Sequence, residues 1–531
     1  MRGGGDPGRA FALDKTRPIR YKDGMRDLDA SKSGRLALCA IVALALFLRL
    51  FRLAHQSLWV DEILSYKAFT SPAGVPYWQK FLYDVHGPLY SLIMHFWSMV
   101  SKSDLWLRAP SAIAGVLAVY ALYRWFIEIE RSDLALPAAL FMALSPFHLY
   151  YSQELRFYAL LSLLSVLTLI AFERFRARPA MRTGVALGIV LALACLVHFS
   201  ALFLGAAFFV YLALTGRLRG DHLRFGALAA GVVLLVISPW IYRELAFLRQ
   251  IHVVGISTLS SDERLRGDLT LSRWSYPYSL YAFSAGYSLG PSLRELHIGA
   301  PVLALIERHA VALVSTLVVF GGLLISGIIR SARTGRLWFF LSVILVSIAS
   351  VTVITAFNVK VFNVRYLMCA FPLYVALVIH GLPSGRPARI LVAAAACGLM
   401  IVSDVNYHFN PEYAREDVRG AAAIVMGGEA KGDLVLAPGV EAVFAHYYGG
   451  SNATPFIEPA RLGEGGVDAA VAGYFASHAR IWHLRSRNWD KDPGDILRGA
   501  LLRRGAPAGS WDLAGVVLTL YRERASAGPS R

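Results

Sequence analysis

Four short segments of this chain gather residues that can move protons or hold anions. The first reads His55-Gln-Ser-Leu-Trp-Val-Asp61-Glu62-Ile-Leu-Ser-Tyr66. Two adjacent carboxylates sit beside Trp59, a few residues past an apolar run. Neighbouring residues on a helix point in different directions, so one carboxylate can face a site while the other is held by a partner. An ordinary hydrated interface pair has the same composition. The second segment is Tyr83-Asp84-Val85-His86-Gly87-Pro88-Leu89-Tyr90. Proline suits the first helical position and helix N-termini favour anions, so His86 stands where a lipid phosphate could be met. A capped turn with a surface histidine is the plain alternative. The third runs Ser145-Pro-Phe-His148-Leu-Tyr150-Tyr151-Ser152-Gln153-Glu154-Leu155-Arg156-Phe157-Tyr158. Its charges fall at the boundary of two apolar runs, where ions are costly and tend to be paired or functional. An interfacial aromatic belt with an ion pair reads the same way. The fourth, Phe357-Asn358-Val359-Lys360-Val361-Phe362-Asn363-Val364-Arg365-Tyr366, offers two cations. An arginine fork matches phosphate geometry, although such residues also snorkel to headgroups.

The elements that must position these segments follow from hydropathy. The 531 residues are 56% hydrophobic and 17% charged, with a mean hydropathy of +0.50. A soluble domain carries about 45–50% apolar and about 25% charged residues. The excess lies in apolar blocks at 36–54, 88–103, 108–127, 133–150, 155–172, 181–197, 199–215, 224–241, 310–329, 337–356, 365–381 and 389–404. Most approach the length that crosses a bilayer core of about 30 Å as a helix. After residue 405 the chain is mixed, with β-like runs at Leu434–Ala437 and Val516–Tyr521. The reading is a polytopic α-helical membrane protein: a basic tail over 1–35, a membrane domain over 36–405 and a soluble α/β domain over 406–531.

The net charge of +17 does not point to nucleic acid, because no basic–aromatic motif accompanies it. Many of the arginines lie in short loops: Arg174/Arg176/Arg178/Arg182, Arg217/Arg219/Arg224, Arg330/Arg333/Arg336 and Arg386/Arg389. Such loops orient a membrane protein toward the cytoplasm and meet anionic lipid. Counting from them puts the C-terminal domain, the loops 55–87 and 242–300, His198 and the segment Ser152–Arg156 outside. Parity then requires that the run 88–103, with His95 near its middle, be re-entrant or interfacial, which leaves eleven spans. Cys39, Cys195, Cys369 and Cys397 all fall in apolar runs without ligand spacing, so neither a disulfide framework nor a thiolate metal site is expected.

The segments "LWVDEILSY", "DVHGPLYSLIMHFW", "RAPSAIAGVLAVYALY", "SPFHLYYSQELRFYALLSLLS" and "NVRYLMCAFPLY" occur in that order. As a set they resemble bacterial GT-C glycosyltransferases related to protein O-mannosyltransferases, to the aminoarabinose transferase of lipid A and to the Rgt-type galacturonosyltransferases. The resemblance covers roughly residues 36–405, and "YAREDVRGAAAIV" at 413–425 resembles the start of the soluble domain in many members. It implies the GT-C fold and an inverting transfer of a hexosyl or pentosyl group. The donor would be a polyprenyl-phosphate sugar and the acceptor a hydroxyl of a lipid, glycan or protein, on the outer, periplasmic face of a bacterial inner membrane. It implies Asp61 as general base with Glu62 beside it, and desolvation near the membrane would raise the basicity of such a carboxylate. It implies His86, Arg156 and Arg365 around the donor phosphate, and Lys360, the other cation of the fourth segment, is expected with them. Glu154 would be a further acid, with Gln153, Tyr158, His198 and Tyr366 lining the substrate cavity. His-Gly-Pro stands here where many members have His-Pro-Pro or Lys-Pro-Pro. The resemblance implies no required metal; His446, His478 and His483 are scattered, without ligand spacing. The competing reading is a transporter or flippase of a lipid-linked or small anionic substrate. Transporters often show internal repeats and broken midplane helices, and no repeat is apparent here.

Overall fold

Long apolar runs satisfy their backbone groups internally only as helices, and helices dominate the first three quarters of the chain. The computed structural model describes residues 32–70, 87–129, 131–254, 271, 274–298, 301–356, 362–492 and 494–524. The helices begin with α1 (Lys32–Leu50), α2 (Val60–Phe69), α3 (Pro88–Trp97), α4 (Asp104–Glu128), α5 (Ser132–Leu144), α6 (Pro146–Ser152) and α7 (Tyr158–Ala177). They continue with α8 (Met181–Val197), α9 (Leu202–Leu214), α10 (Gly220–Val254), α11 (Ser275–Ala285), α12 (Leu293–Ile298) and α13 (Val302–Arg308). Next come α14 (Ala310–Thr316), joined by a π-turn to α15 (Gly322–Arg333), then α16 (Leu337–Ala356), α17 (Phe371–His380) and α18 (Arg386–Phe409).

Seven of the described helical stretches are long and apolar enough to cross a membrane, or eight if the bent pair α5–α6 is one span. The apolar stretches around α8, α9 and α17 are shorter. The bend between α5 and α6 is 59°. It falls at Ser145-Pro146, where proline opens a new helix and the Ser145 hydroxyl accepts from the His148 N–H. Helix α3 has ten residues, about 15 Å at 1.5 Å per residue, half of a bilayer core. Trp97 and Trp106 close its exit: the rings stack at 4.3 Å, and each indole N–H donates to the other's carbonyl.

Two features differ from the sequence reading. The loop expected from residue 242 begins later, because α10 continues to Val254; Glu244-Leu-Ala-Phe-Leu-Arg-Gln is rich in strong helix formers, which polarity alone conceals. The same loop also contains α11 and α12. Gly87 of the His-Gly-Pro segment lies so close to the Leu196 carbonyl that a Cβ would collide with it.

Beyond α18 follow α19 (Val418–Gly428), β1 (Leu434–Leu436), α20 (Glu441–Tyr447), α21 (Pro459–Ser477), β2 (Arg480–Arg485), α22 (Asn488–Lys491), α23 (Ile496–Arg504), β3 (Gly505–Leu513) and β4 (Val516–Glu523). The sheet order is β1-β2-β4-β3, with β1 parallel to β2 and the other pairs antiparallel. Both β-like runs of the sequence are strands. Side chains alternate across a strand: Leu434, Leu436 and Ile481 pack with Val467, Val471, Leu497 and Leu501 on one face. Val435, Trp482 and Leu518 face Val418, Ala422 and Val425 of α19 on the other.

Helices α15 and α17 approach through glycines. A Cβ on Gly327 would strike the Leu377 carbonyl, and one on Gly381 the Leu323 carbonyl. Such small residues let helix backbones come close where no hydrophobic effect drives them together. Gly327→Ala should therefore destabilise the protein by about 1–3 kcal/mol. Gly398→Ala, on an open face of α18, should leave stability unchanged or raise it slightly. Thermal melting in detergent compares the two; equal melting points would remove the close-packing argument.

Candidate active site

Helix α2 starts with an acidic first turn, where the helix dipole favours negative charge. Its two carboxylates diverge. Glu62 turns inward and is fully buried. Its Oε1 and Oε2 accept from Arg108 Nε and Nη2 at 2.8 and 2.7 Å, and the backbone N–H groups of Leu155 and Trp59 add bonds at 2.7 and 3.2 Å. Arg108 spends its remaining donors on the carbonyls of Leu53, Gln56 and Ser57. Arg415 reaches Glu62 Oε2 at 3.0 Å with one nitrogen and Glu154 Oε1 at 2.9 Å with another. Its guanidinium lies 4.9 Å from the Tyr150 ring centroid.

Asp61 turns the other way, into a cavity of about 550 Å³. The cavity is bounded on one side by Trp59, Asp61, Arg365 and Arg415, and on the other by Glu295 and by Trp489 of the C-terminal domain. Arg365 Nη1 donates to Asp61 Oδ2 at 2.7 Å. Arg156 holds the turn from beneath, donating to the Asp61 carbonyl at 3.0 Å and to Ser65 Oγ at 2.7 Å.

These contacts set the electrostatics. Burial pushes the Asp61 carboxyl up, but Arg365 and then Arg156 outweigh it and hold the group below the usual carboxylate range. The expected desolvation is thus present and overridden. Glu62 is held low in the same way, burial being outweighed by Arg108 and Arg415. Glu154 goes the other way. Burial raises it, Arg415 opposes, the nearby Glu62 adds to the rise, and its Oε2 has no hydrogen-bond partner among the described residues. Among the described residues of this cluster, Asp61 and Glu62 face four positive charges from Arg108, Arg156, Arg365 and Arg415, so positive charge is in excess whether Glu154 is ionised (4 − 3) or protonated (4 − 2).

The residues expected at the site divide into four groups. Asp61 and Arg365 line the cavity. Glu62, Glu154 and Arg156 lie behind that wall as its buried supports. Gln153, Tyr158, His198 and Tyr366, expected to line the cavity, are not among its lining residues. The Gln153 amide is spent on the carbonyls of Leu48, Arg49 and Phe51, which end α1. His198 is sandwiched by ring stacking on Phe157 and Tyr366. Tyr158 is buried beneath Arg365. His86 and Lys360 lie outside the described residues.

Arg108 and Arg415 were missed. The available signal was a lone arginine opening a membrane-length apolar run at the end that the charge count assigns to the outside, and another just past the last run. Both run against the positive-inside trend. The cover over the site is tied down by Asp417 accepting from the Ser57 hydroxyl (3.1 Å), Arg419 pairing with Asp104 (3.2 Å) and Tyr447 donating to Asp104 (2.7 Å).

Residues 85–242 match the family described as dolichyl-phosphate-mannose-protein mannosyltransferase. The structure is similar to ArnT from Cupriavidus metallidurans in the apo state, with a TM-score of 0.57 at 12% identity over 92% of this chain and 98% of that one. ArnT bound to undecaprenyl phosphate gives 0.52 at 12% identity, over 94% and 100%. The apo oligosaccharyltransferase of Archaeoglobus fulgidus gives 0.51 at 14% identity, over 94% and 75%. No curated protein sequence matches significantly. At these identities the likeness is one of fold: the chain is a membrane protein with the GT-C fold.

The contrast between the two buried acids is testable. Glu62→Gln leaves Arg108 and Arg415 buried against a neutral amide and should cost about 3–5 kcal/mol of stability. Folding raises the Glu154 carboxyl above its usual range, chiefly by burial, so its ionisation costs stability as pH rises through that range. Glu154→Gln should then cost far less at neutral pH. Melting curves in detergent decide it, and an equal loss for both variants would refute the assignment.

Proposed function

We propose that this chain is an inverting glycosyltransferase. In this reading it moves a hexosyl or pentosyl group from a polyprenyl-phosphate sugar to an acceptor hydroxyl, working on the periplasmic face of a bacterial inner membrane. The observation that carries this reading is one wall of one cavity. A carboxylate and a guanidinium stand side by side there, in a cluster with excess positive charge, between apolar helices and a covering C-terminal domain. The fold is that of ArnT, which binds undecaprenyl phosphate. The basic loops support the sidedness. Arg174 pairs with Glu128, and Arg336 pairs with Glu173 and caps the Ile129 carbonyl, all at the far end of α4 and α7 from Asp61. That end is cytoplasmic by the distribution of arginine.

The donor's prenyl chain lies among the apolar helices with its phosphate at Arg365, and Arg156 adds positive charge from below. His86 and Lys360 are assigned to the phosphate from the sequence alone. The acceptor enters beneath the C-terminal domain. Its hydroxyl oxygen attacks the anomeric carbon while Asp61 takes the hydroxyl proton. The bond from that carbon to the phosphate oxygen breaks with its electron pair going to the phosphate, whose growing charge the guanidinium groups stabilise. Configuration inverts in this single displacement.

The test is transfer by reconstituted protein from a panel of radiolabelled polyprenyl-phosphate sugars. Wild type should release polyprenyl phosphate from one of them. Asp61→Asn should lower the rate by about 10²–10⁴-fold, the usual contribution of a general base, without losing donor affinity. Near-normal turnover by Asp61→Asn would remove the assigned base. No release from any donor would remove the enzyme class.

A further inference from the structure

We propose that Asp61 and the donor phosphate compete for Arg365, so that the bound donor itself frees the carboxylate that serves as base. This rests on the glycosyltransferase reading above and adds an order of events to it.

Two acid–arginine pairs lie within one turn of α2, and they are built differently. Glu62 is wrapped by a two-point contact from Arg108, by Arg415 and by two backbone donors, with no exposure. That pair is fixed. Asp61 meets Arg365 through one nitrogen at 2.7 Å, and the two side chains are 24% and 17% exposed on the cavity wall. That pair is reachable by a ligand. Arg365 Nε has no hydrogen-bond partner among the described residues. The guanidinium carbon sits 5.8 Å from the ring centroids of both Tyr158 and Tyr366. Ring faces hold a guanidinium plane without consuming its in-plane donors, so Arg365 keeps the capacity for a two-point phosphate contact.

Separation of the pair need not disturb the start of α2. Arg156 grips the Asp61 carbonyl and Ser65, and Glu62 anchors the next residue. The carboxylate stays in place while its partner turns to the phosphate. In this structure Arg365 is the foremost charge opposing the effect of burial on Asp61. A dianionic or monoanionic phosphate on Arg365 cancels much of that charge and leaves burial in command, which strengthens the base. After transfer Asp61 passes the proton it has taken to water in the cavity, and the exchange runs backwards: as a carboxylate again, it retakes Arg365 and helps to expel the lipid phosphate. Donor binding therefore precedes productive acceptor binding.

A double-mutant cycle on the binding of undecaprenyl phosphate in nanodiscs tests this. Asp61→Asn should tighten binding about 10-fold, and Arg365→Gln should weaken it at least 10-fold. In the Arg365→Gln background, Asp61→Asn should change affinity less than 2-fold. An equal gain in both backgrounds would mean simple repulsion between two anions and would overturn the exchange, as would no gain from Asp61→Asn alone. Binding unaffected by Arg365→Gln would instead overturn the placement of the phosphate, and with it the site assigned above. A cryo-electron microscopy structure of the wild type with undecaprenyl phosphate needs no variant. It should show Arg365 on the phosphate and more than about 4 Å from Asp61, beyond ion-pair contact. An intact Asp61–Arg365 pair beside bound phosphate would overturn the proposal.

Discussion

The site depends on the burial of Glu62. An ion placed where water cannot follow must have its charge and lone pairs answered by protein. Here Arg108, Arg415 and two backbone N–H groups do so. That requirement draws together the N-terminal end of α4, the start of α2, the turn before α7 and the segment after α18. Asp61 gains its position from this: with its neighbour pinned inward, the adjacent side chain has the cavity as its direction. The catalytic reading of Asp61 therefore rests on the structural role of Glu62.

Much of the fold was legible because membrane-length apolar runs leave the backbone few choices. Proline at 146 marks the break between α5 and α6. The continuation of α10 past residue 242 was not legible, since its polar residues are those of a loop and of a helix alike. At the site, the adjacency of Asp61 and Glu62 carried the message that they diverge. Their partners were not readable, because Arg108 and Arg415 stand 46 and 353 residues from Glu62, and no local pattern spans such distances. Gln153, Tyr158, His198 and Tyr366 were recognised by type, but type does not reveal direction. Their polar atoms and rings are committed to the layer behind the cavity, to carbonyls at the end of α1 and to one another.

The C-terminal domain is more than a cover. Arg415 is its contribution to the buried cluster, while Asp417, Arg419 and Tyr447 fasten it to Ser57 and Asp104. Helix α18 and the turn after it also arrange the opposite rim. Ser403, Asn406 and Tyr413 donate to the carbonyls of Ala285, Ser288 and Gly290, around two glycines with φ of +68° and +82°. The cavity is thus walled by segments from both ends of the chain, and its width follows the seating of one part on the other.

The spacing of Arg415 from Glu62 also has a meaning in time. Ribosomes add about 5–20 residues per second, so the 353 residues between the two take roughly 20–70 s to appear. Arg108 emerges 46 residues after Glu62, within roughly 2–9 s. The nascent chain can neutralise its first buried acid almost at once. Glu154 waits for its arginine until the final helix has been threaded into the bilayer. A half-made chain therefore carries Glu154 before its arginine exists, and the buried cluster is completed only when the segment after α18 is made.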